Sequence, residues 1–269
     1  MLAAQMVAAG IRGSLTVAAP GGRYRCLVPQ TKQQVIEVWR YPVKSLQGET
    51  VSSAVVGANG VEGDRRFAIF DVATGLGLTA RRVPELLFGS ARYLGADGVE
   101  ITLPDGTVAR DDAALSSWLG RAVVLRSTDE VVDRRFENVD DFEREGESPW
   151  HAFDGSRGSF RDSERTAVSI VSEGSLAGWD RRRFRSNILV SGSGEESLVG
   201  SRVSLGGAVL QVGKQVGRCV MVTRPQPDGI EKDLGVLRTI HRERNGCLAV
   251  GAVVTAEGTV AVGDSLLPG

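Results

Sequence analysis

The sequence predicts an α+β fold that is predominantly β, and three observations lead there. Thirty-four of the 269 residues are glycine while only 6% are aromatic, the usage of a chain with many tight turns and short strands. From residue 35 onward, apolar runs of strand length recur between turn signals. Amphipathic stretches long enough for helices are few. A β-barrel with a few covering helices accommodates this pattern, and the length suits two modest domains.

The elements follow in order. "VIEVWRYPV" (35–43) is a strand closed by Pro42, followed by "SSAVVGANGV" (52–61) and "RRFAIFDVATGLGLTA" (65–80), in which Thr74 and Gly75 turn a hairpin. "LFGSARYLGADGVEITLPDGTVA" (87–109) adds turns at Ala96-Asp97-Gly98 and Asp105-Gly106, a meander. A helix is expected over "DDAALSSWLG" (111–120), capped by Asp111 or Asp112 and stopped at Gly120, and then the strand "RAVVLRS" (121–127). The next segment, "DEVVDRRFENVDDFEREGESPW" (129–150), is mostly acidic with little periodicity and reads as a boundary or a long exposed loop. Domains are therefore expected at 34–145, with this acidic linker, and 146–269, behind a loose tail at 1–33.

In the second half, "TAVSIVSEGSLAGW" (166–179) is a strand running into a short helix capped by Ser172, with Ser175 and Leu176 in its first turn. "RFRSNILVSG" (183–192), "SRVSLGGAVLQVGK" (201–214) and "VMVT" (220–223), headed by Cys219, read as strands. A helix is expected over "EKDLGVLRTIHRER" (231–244) with Leu234, Leu237 and Ile240 on one face, before the closing strands "CLAVGAVVT" and "TVAVGD".

Several functions are excluded or disfavoured. A net charge of −1 supplies no global field for nucleic acid or an acidic membrane. No run approaches the roughly 20 apolar residues of a membrane helix, and the first 34 residues lack the basic start of a secretory leader. Cys26, Cys219 and Cys247 are odd in number and form neither a metal clip nor iron–sulfur spacing. A cytoplasmic protein with no nucleic-acid or membrane partner is expected. Residues 75–80 match G-x-G-x-x-A, but four residues separate the apolar run from Gly75, and Pro84 falls inside the helix a dinucleotide site requires. No G-x-S-x-G occurs, and the two histidines, His151 in a loop and His241 near a helix end, make no metal pair.

Cys219 has two readings. Free cysteine suits a buried strand as a small apolar residue; as a thiolate it needs nearby positive charge. Arg218 is adjacent, but neighbouring side chains on an extended chain point to opposite faces. The charge must come from elsewhere in the fold.

Six motifs stand in one order: "YPVKS" (41–45), "GDRRFAIFD" (63–71), "LTARRVPELL" (78–87), "FRSNILV" (184–190), "GRCVMVT" (217–223) and "VGD" (262–264). In this the chain resembles the MOSC family, named for the C-terminal domain of molybdenum cofactor sulfurase. Within it the chain is similar to the two-domain members with an N-terminal β-barrel domain, the group containing the mitochondrial amidoxime-reducing component. The resemblance runs from about Val35 to the end. It implies that Cys219 is catalytic and ligates molybdenum in a molybdenum–molybdopterin cofactor, a soft thiolate ligand for a soft site. It further implies that Lys44, Ser45, Arg65, Ser172, Glu173, Ser175, Arg185, Asn187 and Arg218 hold the cofactor, whose phosphate needs cationic forks and main-chain donors. Arg81 belongs to the same pattern. Two departures stand out: Ser186 where the family often has proline, and Arg224-Pro-Gln-Pro-Asp-Gly229 where a loop beginning with aspartate is common.

The activity so implied is a molybdenum oxidoreductase reducing N-hydroxylated small molecules by oxygen-atom abstraction. Lacking iron–sulfur spacing, it would take electrons from a separate ferredoxin, flavoprotein or cytochrome, and the acidic stretch 129–147 is a docking surface or a solvated face. The alternative is a carrier of the cofactor, or of a persulfide on Cys219, without turnover.

Overall fold

Short apolar runs between turn residues do fold as strands, because alternate side chains reach a common core. The computed structural model describes residues 33–130, 134–141 and 144–269; the expected tail, with Cys26, lies outside them apart from Gln33. The first half contains β1 (Val35–Arg40), β2 (Glu49–Val51), β3 (Ser53–Gly57), β4 (Gly60–Val61), β5 (Phe67–Asp71), β6 (Ser90–Tyr93), β7 (Val99–Thr102), β8 (Val108–Ala109), α1 (Asp112–Leu119) and β9 (Val123–Ser127). It continues through β10 (Arg135–Val139), β11 (Trp150–Asp154), β12 (Val168–Ser172), α2 (Glu173–Leu176), β13 (Ile188–Val190) and β14 (Arg202–Leu205). The last elements are β15 (Ala208–Gly217), α3 (Leu234–Arg244), β16 (Cys247–Ala256), β17 (Gly258–Ala261) and β18 (Leu266–Pro268).

An eight-stranded sheet runs β18-β14-β15-β16-β12-β13-β1-β2. Its pairings are antiparallel except β12 with β13. Strands from the start of the chain thus complete a sheet otherwise built from its end, and β17-β3-β4 packs beside it over a core including Val38, Val56, Ile170, Leu210 and Val260. A second core gathers Val43, Leu46, Ile69, Leu86, Leu87 and Leu115 beneath the β6-β7-β8 meander. A third places Val236, Leu237 and Ile240 of α3 on Val171, Leu189 and Leu248. The described residues form one compact unit.

Caps behave as the sequence predicts. Asp111 accepts from Ala114 N, and Gly120 stops α1 at φ 63°. Helix α3 starts three residues later than expected, where Asp233 accepts from Gly235 N at 2.7 Å, so that Val236 rather than Leu234 is in the buried set. Asp71 caps the turn at Ala73 and Thr74, and Gly75 takes φ 69°, but the principal partner of β5 is β9. No helix follows Gly77: its Cα lies against Phe136, and Pro84 opens a single 3-10 turn.

The acidic stretch differs from expectation. It is not a featureless loop: β10 and β11 pair from Arg135↔Asp154 to Val139↔Trp150, and residues 145 and 146 lie between them. Phe136, fully buried, packs with Phe70, Phe153 and Phe160. The buried Phe136 and Val139 of β10 stand three positions apart among charges, which hides them from a hydropathy reading.

Candidate functional site

A cavity of about 390 Å³ opens where the two halves meet. Residues on several stretches reach it: the turn after β1 with Lys44 and Ser45, Arg65 before β5, the segment around Thr79 and Arg81, residues between 160 and 169, the segment 183–187, and the run from β15 through Cys219 into the turn after it. "VMVT" is not a strand. Val220–Thr223 form a 3-10 turn with Cys219 as its cap residue, closed by Thr223 Oγ1 donating to Val220 O at 2.8 Å. Val222 packs into the α3 core, and Arg224, preceding Pro225, is forced extended at ψ 148°. The chain therefore leaves β15 and turns at the cysteine, which stays half-buried and unpaired on the cavity wall.

The lining is strongly cationic: Lys44, Arg65, Arg81, Arg161, Arg183, Arg185, Lys214 and Arg218 against the single carboxylate of Asp162. Lys44 Nζ donates to Asp162 Oδ1 at 2.5 Å and to Phe160 O at 2.7 Å, and Arg81 binds the other oxygen of Asp162. Burial opposes the charge of Asp162, but Arg81 and Lys44 outweigh it and hold the carboxyl well below its usual range. Burial also disfavours a charged Arg81, an effect overcome by Asp162 and then by Cys219 beside it, so this guanidinium stays firmly protonated.

Arg65 forks onto Asp64 and donates to Arg185 O at 2.9 Å. Arg65 and Arg185 both lie over the Tyr41 ring, at 4.7 and 4.3 Å. Burial, with Arg65 nearby, lowers Arg185 to about 10, and burial lowers Arg218 to about 10 as well. Five guanidinium nitrogens on this wall are buried without a hydrogen-bond partner: Arg81 Nε and Nη1, Arg161 Nε, Arg185 Nη2 and Arg218 Nη2. Buried donors of this kind are uncommon unless something binds them. Ser45, Arg65 and Arg185 also hold left-handed backbone at φ 72°, 48° and 52°, each a strain of roughly 1–3 kcal/mol. Strain and unmet donors coincide at one cavity.

Of the residues implied by the resemblance, Cys219, Lys44, Ser45, Arg65, Arg185, Asn187 and Arg218 line the cavity. Asn187 is held in place: its Oδ1 accepts from Ser169 Oγ and its Nδ2 donates to Trp39 O. Ser172, Glu173 and Ser175 do not line it. The hydroxyls of Ser172 and Ser175 both donate to Glu195 Oε2, a carboxylate that is 1% exposed, and Glu173 faces solvent. Ser172 stands at the cap position of α2 but makes no side-chain cap bond there. The serines of this turn are thus already satisfied by a buried anion of the protein's own. Thr79, Arg161, Asp162, Arg183 and Lys214 join the cavity unforeseen; in "SFRDSER" (159–165) folding turns Arg161 inward while Asp162 lines the cavity.

Arg224 supports the site from outside its lining. Its Nη2 donates to Arg81 O at 2.8 Å and to Glu145 Oε2 at 2.5 Å, tying the β10–β11 connection to the backbone behind Arg81. Glu145→Ala leaves a buried guanidinium unpaired. The expected loss is about 2–4 kcal/mol in denaturant unfolding, and recovery of most of it in a Glu145→Met, Arg224→Met double variant checks the cause.

Lys44 gives the cavity a pH dependence. Burial lowers it from 10.5 to about 8, against the pull of Asp162. Its positive charge is therefore present at pH 7 and lost as pH rises through about 8. Phenyl phosphate, dianionic above a second pKa of about 6, is expected to bind the cofactor-free protein more weakly above that point, read by calorimetry. The sign for stability is opposite: the fold holds this proton less tightly than the unfolded chain, so unfolding free energy rises between about 8 and 10.5.

The fold and this site define a predominantly β protein with a cationic cleft beside a free thiol. Residues 32–143 match the MOSC N-terminal beta barrel domain and residues 157–267 match the MOSC domain. The chain belongs to the MOSC-domain family. No curated protein matches it. Among solved structures it is similar to the YUAD protein from Bacillus subtilis, with 14% identity over 88% of this chain and 94% of that one, at a TM-score of 0.41. A hypothetical protein shares 13% identity over 90% of this chain and 69% of its own, at 0.40. YiiM from Geobacillus stearothermophilus shares 18% over 39% and 55%, at 0.31. Likenesses this distant carry nothing about activity. Among the described residues no helix is long and apolar enough to cross a membrane, and no cluster of three or more His, Cys, Asp or Glu is placed to hold a metal ion.

Proposed function

We propose that the chain is a molybdenum cofactor-dependent oxidoreductase that reduces N-hydroxylated small molecules, with electrons from a separate donor protein. The observation that carries this reading is the set of five unpartnered buried guanidinium nitrogens around a cavity that also exposes Cys219. They fit an anionic cofactor with one position for a thiolate: Arg65, Arg185, Arg218, Lys44 and Ser45 would hold the anionic part, and Cys219 would be the protein ligand of the metal. A protein thiolate needs no further His or carboxylate cluster for this. When bound, molybdenum–molybdopterin supplies two-electron oxygen-atom transfer, the chemistry the reaction needs.

The chain's own residues orient and neutralise. Asp162 holds Lys44 and Arg81 in place, and Arg81 keeps a fixed positive charge beside the sulfur. Asn187 fixes Trp39 and Ser169 behind the cavity, so its lining is rigid before any ligand arrives. Removal of an N-hydroxyl oxygen as water consumes two protons, and Lys44 Nζ is a protonated group at the cavity wall at neutral pH.

The test is production in a host that makes molybdopterin, metal analysis by mass spectrometry, and reduction of benzamidoxime with an artificial electron donor. Near-stoichiometric molybdenum with turnover is expected. Molybdenum without turnover, or sulfane sulfur on Cys219 without molybdenum, would make the protein a carrier instead.

A further inference from the structure

A second, smaller pocket of about 170 Å³ lies beside the turn after β5, and Asp71, Arg82, Arg121 and Glu137 reach it. Arg121 faces Asp71 at 3.5 Å and Arg82 faces Glu137 at 3.8 Å, and both guanidinium side chains are about half exposed, so the pocket is in touch with bulk solvent. Two acids and two bases line a space with room for about five waters at roughly 30 Å³ each, the polarity and volume a wet cavity needs. Thr79 joins this pocket to the cavity that holds Cys219: among the described residues it alone lines both. It is 2% exposed, and no described protein group bonds its Oγ1. Its carbonyl accepts from Arg82 N and Val83 N at 3.0 and 2.8 Å, and the next amide, Ala80 N, donates to Ser45 Oγ at 3.0 Å, so the backbone that carries the hydroxyl is pinned. Phe136 gives the same wall an apolar part, with Lys44 of the cavity over its ring at 4.2 Å and Gly77 of the pocket so near that a Cβ there would overlap the ring. Arg81, which has Cys219 beside it, follows Thr79 by two residues. A buried hydroxyl is rarely left without a partner, and water on either side of this one supplies it.

We propose that the small pocket is a water reservoir joined to the cavity through the Thr79 hydroxyl, and that this hydroxyl relays protons from solvent to the reaction. The water bridge stands on the geometry; the relay rests on the oxidoreductase reading. Reducing an N-hydroxylated compound breaks its N–O bond with two electrons from the donor protein and two protons, one ending on nitrogen and one in the released water. Those protons come from solvent, and a substrate seated in the cavity blocks the mouth by which it entered. A route through the opposite wall avoids that conflict. A hydroxyl both accepts and donates, so Thr79 Oγ1 can take a proton from pocket water as its own proton leaves toward the cavity.

A crystal structure of the cofactor-free protein tests the bridge whichever way that reading falls. Ordered water is expected in the small pocket and within hydrogen-bond distance of Thr79 Oγ1, and a dry hydroxyl overturns the proposal. The relay is tested with Thr79→Val, which keeps the shape and removes the hydroxyl, in protein from a molybdopterin-producing host. At unchanged molybdenum content and unchanged KM for benzamidoxime, kcat is expected to fall about 100-fold, the lower end of what positioned proton transfer contributes, with a larger solvent isotope effect. Thr79→Ser, which restores the hydroxyl, should recover most of the rate. An unchanged kcat in Thr79→Val overturns the relay. So does a loss that Thr79→Ser shares, or one that comes with lower molybdenum, raised KM or lowered Tm, since the residue would then be structural. Molybdenum-loaded wild type that turns nothing over fails the oxidoreductase reading instead, and the relay falls with it while the crystal still decides the bridge.

Discussion

Cys219→Ala is expected to lose molybdenum and benzamidoxime reduction together, both falling to background. Outer-shell partners of metal ligands are worth about 10–100-fold in affinity or activity, and removal of the sole protein ligand exceeds that. Fold integrity should be preserved, because Cys219 is half-buried and caps a turn through its backbone rather than its side chain. Cys247→Ala, on β16 and outside the cavity lining, should retain the metal. Metal analysis and unfolding curves on the two variants check this, and molybdenum retained in Cys219→Ala would sink the ligand assignment.

Arg185→Leu should separate function from stability. This guanidinium is buried beside Arg65, on left-handed backbone, with Nη1 on Leu46 O at 2.6 Å and Nη2 unmet. Removing it relieves a desolvated charge at the expense of one hydrogen bond, so Tm should stay level or rise. Phenyl phosphate binding should fall about 10–100-fold, since an interaction between a buried cation and an anion is lost. A lower Tm with unchanged affinity would instead make Arg185 a structural residue.

The motifs around Lys44, Arg65, Arg185 and Cys219 were legible through their common order in the MOSC family; taken singly, each also reads as a surface charge or a core residue. The exposed-loop reading of the acidic stretch failed because its buried Phe136 and Val139 stand three positions apart among charges, and only the pairing of β10 with β11 sets Phe136 against Phe153. The "SEGS" turn was assigned to anion binding by resemblance, and nothing near it in sequence shows that Glu195, twenty residues on, takes both hydroxyls. Arg224 supports the backbone behind Arg81 together with Glu145, 79 positions distant, which no local reading of its loop shows.

By itself the sequence determined the β-rich class, the cap and stop of α1 and the absence of a dinucleotide loop. These depend on periodicity, turn chemistry and neighbours a few residues apart. Tertiary structure alone decided which arginines turn inward, that Asp162 pairs with both Lys44 and Arg81, and that among the described residues Lys214 has no carboxylate within ion-pair distance. Charge compensation is settled between groups that only folding brings within a few ångströms, so the same Arg or Lys is a solvated surface charge or an unmet donor according to which strand lies opposite.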